Sequence, residues 1–293
     1  MKVLVAGAGG QVGRELVELA TQRGLSVVGF DSKILDITAE KTVAETLARE
    51  RPQCVINAAA YTAVDRAETE VDRAYAINRD GVANLARACR DLNIPLLHIS
   101  TDYVFDGAQT RAYTEHDVTN PTSVYGASKL AGEKVLAATW HKHVILRVSW
   151  VFGQHCNNFV KTMLRLGRER TELNVVDDQF GAPTSARAIA ATLLDIATHP
   201  QLGTAACEWG VRHFTSDPGV TWFAFAQTIF ARALKLGLLS TVPTVHPITS
   251  AQFPTPVRRP ANSKLASVKM WPTEIAAQSD WEAELDQVLR QLT

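Results

Sequence analysis

Gly7-Ala8-Gly9-Gly10-Gln11-Val12-Gly13 links an apolar run at residues 2–6 to a stretch in which Leu16, Val17 and Leu19 fall on one helical face. Glycines at 7, 10 and 13 permit a tight turn, close approach of the backbone to a phosphate, and close packing of helix on strand. The helix N-terminus also offers free N–H groups to an anion. We therefore predict that Gly7, Gly10 and Gly13 bind a dinucleotide. The alternative, a glycine turn without a ligand, is disfavoured by its place at the first strand–helix junction.

The first half of the chain alternates short β-branched runs with longer helical patterns. Such alternation is typical of βαβ units around a parallel sheet. The predicted fold class is therefore α/β, a Rossmann-type doubly wound parallel sheet. The predicted strands are 2–6, 26–30, 53–57, 95–99 and 143–148, and the predicted helices are 11–23, 39–50, 70–92 and 123–138.

The alternation fades near residue 150, and proline and aromatic residues cluster at 209–225 and 243–260. We therefore predict a dinucleotide-binding domain over 1–150. Residues 151–293 are expected to form a smaller, mainly substrate-binding region, parts of which pack back on the sheet. Ligands are expected in the cleft between the two regions.

Composition excludes several classes of function. Thirty Lys and Arg residues balance 30 Asp and Glu residues, so no long-range field attracts nucleic acid or an anionic membrane. No run of 18 apolar residues and no signal-peptide pattern occurs, which favours a cytoplasmic enzyme. The four cysteines lack metal-ligand spacing, so no metal site is predicted from the residues, and buried reduced thiols are expected at Cys54, Cys89, Cys156 and Cys207.

A tyrosine and a lysine stand one helical turn apart in Tyr125-Gly126-Ala127-Ser128-Lys129. A nearby ammonium favours the phenolate, so the pair is suited to moving a proton near neutral pH. The run of residues 98–105, which contains Thr101, closes the fourth predicted strand at the edge where open α/β sheets bind ligands. Although a surface Tyr–Lys pair is the ordinary interpretation of such spacing, the three residues together indicate carbonyl reduction.

Asp31 ends the second predicted strand, 18 residues beyond Gly13, where a carboxylate can accept hydrogen bonds from the adenosine ribose. This favours NADH. Lys33 is placed to meet a 2′-phosphate, although a solvated surface lysine is the more ordinary interpretation. The cofactor is therefore predicted as NADPH or NADH.

These features together resemble the extended short-chain dehydrogenases/reductases. Longer strings are similar to the dTDP-4-dehydrorhamnose reductase family: 100–105 (STDYVF), 149–152 (SWVF), 178–184 (DQFGAPT) and 258–263 (RRPANS). The resemblance implies reduction of the C4 ketone of dTDP-4-dehydro-L-rhamnose to dTDP-L-rhamnose. It also implies that some relatives bind Mg²⁺ at a homodimer interface, which the residues here do not establish.

The same resemblance assigns roles to individual residues. Tyr125 is the expected proton donor, Lys129 the partner of the nicotinamide ribose, and Thr101 the contact to the sugar where many relatives have serine. Tyr61 stands where some relatives have histidine. The residues at cofactor-contacting positions are Gly10, Gln11, Val12, Asp31, Asp36, Ile37, Ala60, Tyr61, Thr62 and Ile99, and those at substrate positions are Thr101, Asp102 and Trp150.

Arg258 and Arg259 lie in a segment that carries three prolines, at positions 254, 256 and 260, which predicts an ordered loop rather than a helix. Two guanidiniums there are suited to the diphosphate of a sugar nucleotide. The alternative is a solvated pair that holds a surface carboxylate.

Two other functions remain open at this point. A nucleotide-sugar epimerase or dehydratase shares the fold and the Tyr–Lys pair but recycles its hydride, and the strings at 178–184 and 258–263 argue against it. A non-catalytic regulatory subunit, similar to that of methionine adenosyltransferase, is disfavoured by the intact Thr101, Tyr125 and Lys129.

Overall fold

The computed structural model describes residues 1–268 and 278–292. Its first strand ends at Ala6, and the first helix begins at Gln11. Gly7 adopts φ +81°, and a Cβ there would lie 2.4 Å from the backbone nitrogen of Ala59. A Cβ on Gly13 would lie 2.1 Å from the carbonyl oxygen of Gly7. Steric contact alone therefore requires glycine at 7 and 13, as the turn pattern predicts.

The secondary structure follows the predicted alternation in the first half. The strands are β1 Lys2–Ala6, β2 Ser26–Phe30, β3 Cys54–Asn57, β4 Leu96–Thr101, β5 His143–Val148, β6 Val151–Phe152, β7 Glu172–Val176, β8 Phe180–Gly181, β9 Thr184–Ser185, β10 Gly210–His213, β11 Thr215–Asp217, β12 Val220–Thr221, β13 Thr244–Ile248 and β14 Gln278–Asp280. The α-helices are α1 Gln11–Gln22, α2 Glu40–Glu50, α3 Val64–Ala67, α4 Val71–Tyr75, α5 Gly81–Asp91, α6 Val124–Thr139, α7 Phe159–Glu169, α8 Ala186–Thr198, α9 Trp222–Lys235 and α10 Trp281–Gln291.

Within the described residues, a six-stranded parallel sheet has the order β2-β1-β3-β4-β5-β10. Helices α1 and α8 pack on one face, and α2, α5 and α6 pack on the other. The strand order reverses between β1 and β3, which is where doubly wound sheets bind dinucleotides. The predicted fold class is therefore confirmed.

Two local features differ from the expected pattern. The predicted helix 70–92 is interrupted by a π-helical turn at Ala76–Asp80, between α4 and α5. The sixth strand, β10, was not predicted because Gly210-Val211-Arg212-His213 carries a single aliphatic residue. Its pairing with β5 joins residues far apart in sequence.

Residues after 150 contribute to two cores. α8 and β10 complete the layers around the main sheet. A second apolar cluster forms between α7, α9, α10 and the two-stranded sheet of β7 and β13, with Phe225, Phe230 and Trp281 at its centre. Other members of this cluster, Met163, Leu173 and Val175, line one side of the cleft described below.

The environments of the cysteines differ in one respect from the expectation. Cys54, Cys89 and Cys207 are buried free thiols, whereas Cys156 is exposed. Its Sγ donates to the carbonyl oxygen of Gly9 at 3.5 Å, so the expectation of a buried thiol is wrong at this position. Among the described residues, no helix is both long and apolar enough to cross a membrane.

Candidate active site

The glycine turn presents the N-terminus of α1 without a side-chain cap at Gly10. Asp31 follows β2 and lies against this turn, since a Cβ on Gly9 would lie 3.3 Å from that of Asp31. Asp31 Oδ1 accepts hydrogen bonds from the backbone nitrogens of Lys33 (2.9 Å) and Ile34 (3.2 Å). The carboxylate therefore shapes its own turn as well as standing beside the candidate cofactor site.

The other cofactor candidates have differing surroundings. Ile37 is buried against Gly81, where a Cβ would lie 2.6 Å from its side chain. Asp36 is exposed, and its Oδ1 accepts from the backbone and hydroxyl of Thr38. Gln11 and Val12 begin α1 directly after the glycine turn, whereas Ala60, Tyr61 and Thr62 lie in the loop after β3.

Asn78, in the π-helical turn, fixes the loop that contains Tyr61. Its Oδ1 accepts from Tyr61 N at 2.9 Å, and its Nδ2 donates to Tyr61 O at 3.1 Å and to Ser128 Oγ at 3.0 Å. The residue is 1% exposed. One buried amide thus joins the candidate cofactor loop to α6, and a π-helical turn at such a place is common near functional sites.

Helix α6 carries the candidate catalytic pair. Ser123 caps the helix, its Oγ accepting from Gly126 N at 3.1 Å. A Cβ on Gly126 would lie 2.2 Å from Tyr103 O, so glycine lets the first turn of α6 pack on the segment after β4. Tyr125 and Lys129 are both buried, at 9% and 2% exposure.

Burial dominates the proton affinities of the pair. It raises the pKa of Tyr125 above its usual range, against the effect of a hydrogen bond with Thr101. It lowers the pKa of Lys129 to about 8, against the charge of Glu133. Lys129 Nζ donates to Ile99 O at 2.7 Å. Tyr125 is therefore held protonated, as a proton donor requires, and the expected lowering of its pKa by Lys129 does not dominate.

Thr101 and Asp102 lie at the carboxyl end of β4, beside Tyr125. Thr101 Oγ1 donates to Asp102 Oδ1 at 2.9 Å and accepts from Tyr103 N at 3.2 Å. Asp102 Oδ2 is buried and has no hydrogen-bond partner among the described residues. Burial raises the pKa of Asp102 to about 6, against the Ser263 and Thr101 hydroxyls. An acceptor is therefore available for a ligand group.

A cleft of about 1470 Å³ lies beyond these residues, lined by α7, β7 and the segment 248–261. Trp222 is part of its lining and stacks on Trp150, with ring centroids 3.5 Å apart. A Cβ on Gly181 would lie 2.2 Å from the Trp150 indole, so this glycine makes room for the ring. The lining reaches Thr122, directly before the cap of α6, but does not include Tyr125 itself.

Arg258 and Arg259 both line the cleft. Arg259 Nη2 donates to Asp65 Oδ2 at 2.9 Å, whereas Arg258 is exposed. The structure thus brings both guanidiniums to the cavity, but one of them already has a carboxylate partner.

The one candidate metal cluster among the described residues does not fit Mg²⁺, whereas a site at a dimer interface, which the resemblance raised, needs a partner chain and stays an expectation. Within the described part of the chain, Glu15, Glu18 and His155 form the one cluster with metal-ligand geometry. Glu15 Oε1 accepts from Gln154, and Glu15 Oε2 pairs with Arg187 at 3.3 Å. Mg²⁺ prefers an octahedron of oxygens, whereas this cluster contains a histidine, and one of its carboxylates is already paired with a guanidinium. No catalytic step is therefore assigned to a metal.

Sequence reasoning missed several buried polar residues around the pair. The sequence patterns place His98 and Asn57 only within predicted strands, and Glu133 only within a predicted helix. Glu133 forms a buried salt bridge with Arg147, at 2.6 Å between Oε2 and Nη2. The available signal was a polar residue within an otherwise apolar strand, since such residues are buried only when they are hydrogen-bonded.

Comparison with known proteins identifies relatives of this chain. The profile of the family described as the RmlD substrate binding domain matches residues 1–293. The dTDP-4-dehydrorhamnose reductase of Aggregatibacter actinomycetemcomitans is 44% identical over 98% of both chains. That of Escherichia coli K12 is 38% identical over 100% of this chain and 98% of its own.

Solved structures extend the comparison. A dTDP-4-dehydrorhamnose reductase from Bacillus anthracis, in complex with NADP, superposes with a TM-score of 0.91 at 36% identity, covering 99% of each chain. A Thermus thermophilus UDP-glucose 4-epimerase in complex with NAD gives 0.81 at 20% identity, covering 99% of this chain and 98% of its own, a likeness of fold alone. Fold and site define an extended short-chain dehydrogenase/reductase. Within that class, the chain belongs to the dTDP-4-dehydrorhamnose reductase family.

Proposed function

We propose that this protein is the NAD(P)H-dependent reductase that converts dTDP-4-dehydro-L-rhamnose to dTDP-L-rhamnose. The observation that carries the proposal is the placement of Thr101, Asp102 and Tyr125 together at the carboxyl end of β4 in a chain of this family. Carbonyl reduction needs a proton donor at the oxygen and a hydride at the carbon. The buried, protonated Tyr125 supplies the first requirement.

The residues divide the work of the reaction. When bound, the reduced nicotinamide supplies the hydride for the C4 carbon. Thr101 Oγ1 and Asp102 orient the sugar, and Tyr125 Oη gives its proton to the developing alkoxide, leaving a tyrosinate. Lys129 stabilises that anion electrostatically and offers Nζ–H to the nicotinamide ribose. The walls of the cleft, including Trp222, which stacks on Trp150, exclude water and hold the nucleotide.

The proposed cofactor is NADPH, and NADH is proposed as an alternative cofactor. A relative of 36% identity has been solved with NADP. Lys33 is exposed next to the Asp31 turn and provides a cation for the 2′-phosphate. The acidic Asp31 beside it favours NADH. We further propose that the protein is cytoplasmic. A sugar nucleotide is the proposed sole substrate besides the cofactor.

The remaining site assignments are part of the same proposal. The cofactor residues are Gly7, Gly10, Gln11, Val12, Gly13, Asp31, Asp36, Ile37, Ala60, Tyr61, Thr62, Ile99, Tyr125 and Lys129. The substrate residues are Thr101, Asp102, Trp150, Arg258 and Arg259. The domain division at residue 150 also remains a proposal, and so does assembly into a homodimer.

One assay separates this function from its rivals. Purified protein is mixed with NADPH or NADH and the 4-keto-6-deoxy sugar nucleotide made by the upstream dehydratase and epimerase. Stoichiometric cofactor oxidation with formation of the 4-hydroxy product is expected. Turnover without net cofactor consumption would instead indicate an epimerase or dehydratase, and binding without turnover a regulatory subunit.

A further inference from the structure

A buried histidine lies in the sheet directly behind Lys129. His98 is in β4 and faces Asn57 of β3 in the strand register. Both side chains are 0% exposed. Asn57 Nδ2 lies 3.0 Å from His98 Nδ1, and Lys129 Nζ lies 3.3 Å from His98 Nε2. The three polar groups therefore form one continuous chain that ends at Lys129.

The donor and acceptor roles in this series of hydrogen bonds are set by a backbone N–H group. Asn57 Oδ1 accepts a hydrogen bond from Ala59 N at 3.0 Å. Rotating the amide would bring its NH₂ against that N–H, so the NH₂ must face His98. His98 Nδ1 therefore accepts, and a neutral imidazole in this position carries its hydrogen on Nε2.

In this tautomer, the contact between His98 Nε2–H and the Lys129 ammonium would place two hydrogen-bond donors against each other. An Nε2–H group and an ammonium cannot hydrogen-bond each other, whereas an amine accepts from Nε2–H through its lone pair. Lys129 Nζ also donates to Ile99 O at 2.7 Å, and this bond is compatible with either form. The contact therefore stabilises the amine relative to the ammonium, in the same direction as burial, which lowers the pKa of Lys129 to about 8 and leaves the ammonium as the main form at neutral pH.

The charged groups around His98 and Lys129 do not reverse this preference for a neutral His98 and a lowered pKa of Lys129. Burial lowers the pKa of His98 well below its usual value, and Lys129 and His143 add to the effect. Burial also lowers the pKa of Lys129, with Glu133 on the same helix opposing it. Glu133 is itself paired with Arg147. Tyr125, one turn earlier on α6, is held protonated.

We propose that His98 is a positioning residue for Lys129: it presents Nε2–H to Nζ and thereby sets the balance between the ammonium and the amine. Asn57 fixes the imidazole tautomer that makes this possible. The inference rests on the proposed function, because Lys129 is the residue through which His98 acts. It assigns no proton transfer to His98 itself, which stays neutral throughout.

The tautomer can be measured without turnover. In protein labelled with ¹⁵N at histidine, long-range ¹H–¹⁵N correlation separates protonated from unprotonated ring nitrogens. We expect His98 to be neutral at pH 7, with Nδ1 unprotonated and Nε2 protonated. A hydrogen on Nδ1, or an imidazolium, would overturn the inference even if the enzyme is active as proposed.

Two variants test the effect on Lys129. His98→Gln keeps an amide group at the Nε2 position, whereas His98→Asn is too short to reach Lys129 and keeps only the acceptor for Asn57. The alkaline limb of the pH profile of kcat/KM should follow loss of the Lys129 ammonium. We expect this limb to move up by roughly one pH unit in His98→Asn, because the pKa of Lys129 rises when the donor facing its ammonium is lost. His98→Gln should restore the wild-type limb.

His143→Gln is the matched control, since His143 is also buried and lies on the neighbouring strand β5. Its Nδ1 contacts Trp140 O rather than Lys129, so the limb should stay in place. An unmoved limb in His98→Asn, or an equal shift in the control, would overturn the inference. If His98→Asn does not fold, the tautomer measurement decides. Absence of turnover in the wild-type protein would refute the proposed function instead.

Discussion

Arg259 Nη2 donates to Asp65 Oδ2 at 2.9 Å, which ties the proline-rich loop of the cleft to α3. Arg258, its neighbour in sequence, is exposed at the same cavity. The two guanidiniums therefore have different surroundings. Arg259 anchors the loop, and Arg258 is the more available to a diphosphate.

Arg258→Ala should raise KM for the sugar nucleotide about 10-fold and leave kcat and NADPH affinity unchanged. Removing a cation that contacts the bound diphosphate weakens ground and transition states equally. Steady-state kinetics with the sugar nucleotide varied gives both constants. Arg49→Ala, which removes an exposed guanidinium on α2, serves as control. An equal KM in wild type and Arg258→Ala would mean that other residues hold the diphosphate.

Tyr125→Phe should lower kcat by at least ~10²-fold, because it deletes the proton donor and keeps the ring. The dissociation constant for NADPH, measured by fluorescence titration, should change little. Tyr75→Phe removes a phenol from α4 and provides the comparison. Near-normal turnover of Tyr125→Phe would remove Tyr125 from the mechanism.

Asp31→Asn should raise the ratio of kcat/KM for NADPH to that for NADH by about 10-fold, since a charge that repels a 2′-phosphate is lost. Asparagine retains an oxygen for the N–H groups of Lys33 and Ile34, so the turn should persist. The two efficiencies are measured at saturating sugar nucleotide. An unchanged ratio would show that the carboxylate does not face the adenosine ribose.

The stability of the protein should report the titration of Asp102. Its pKa is raised from 3.8 in the unfolded chain to about 6 by burial, so the folded protein binds an additional proton between these values. The free energy of unfolding should therefore fall by ~2–3 kcal/mol from this residue as pH rises through that window. Urea denaturation of wild type and Asp102→Asn at several pH values isolates the contribution. Parallel curves for the two proteins would contradict a raised pKa of the buried Asp102 carboxyl.

Local patterns in the sequence predicted the glycine turn, the strands of the first half and the helix that carries Tyr125 and Lys129. These features depend on residue spacing within one element, so a single sequence contains the information. The partners of Lys129 could not be predicted in the same way. His98 reaches Lys129 only because β3, β4 and α6 pack together. The spacing of apolar residues within one element does not predict such packing between elements.

The sequence predicts a cleft but not the different contacts of the two arginines that line it. The segment 254–260 predicts an ordered loop with two adjacent arginines, and only the contact of Arg259 with Asp65 distinguishes one from the other. Asp65 lies far earlier in the chain, on a short helix with no pattern of its own. Charge pairing over such a separation becomes visible only in the folded protein.

The late strand β10 has a consequence for how this protein is made. On the ribosome, β5 is synthesised more than sixty residues before the strand that covers its outer edge, because β10 begins at Gly210. During that interval β5 presents unpaired backbone groups to other nascent chains, a hazard for intermolecular pairing. A hybrid enzyme that joins residues 1–150 of this protein to the remainder of a relative would inherit the same problem. Its success depends on whether the donor's late strand fits β5.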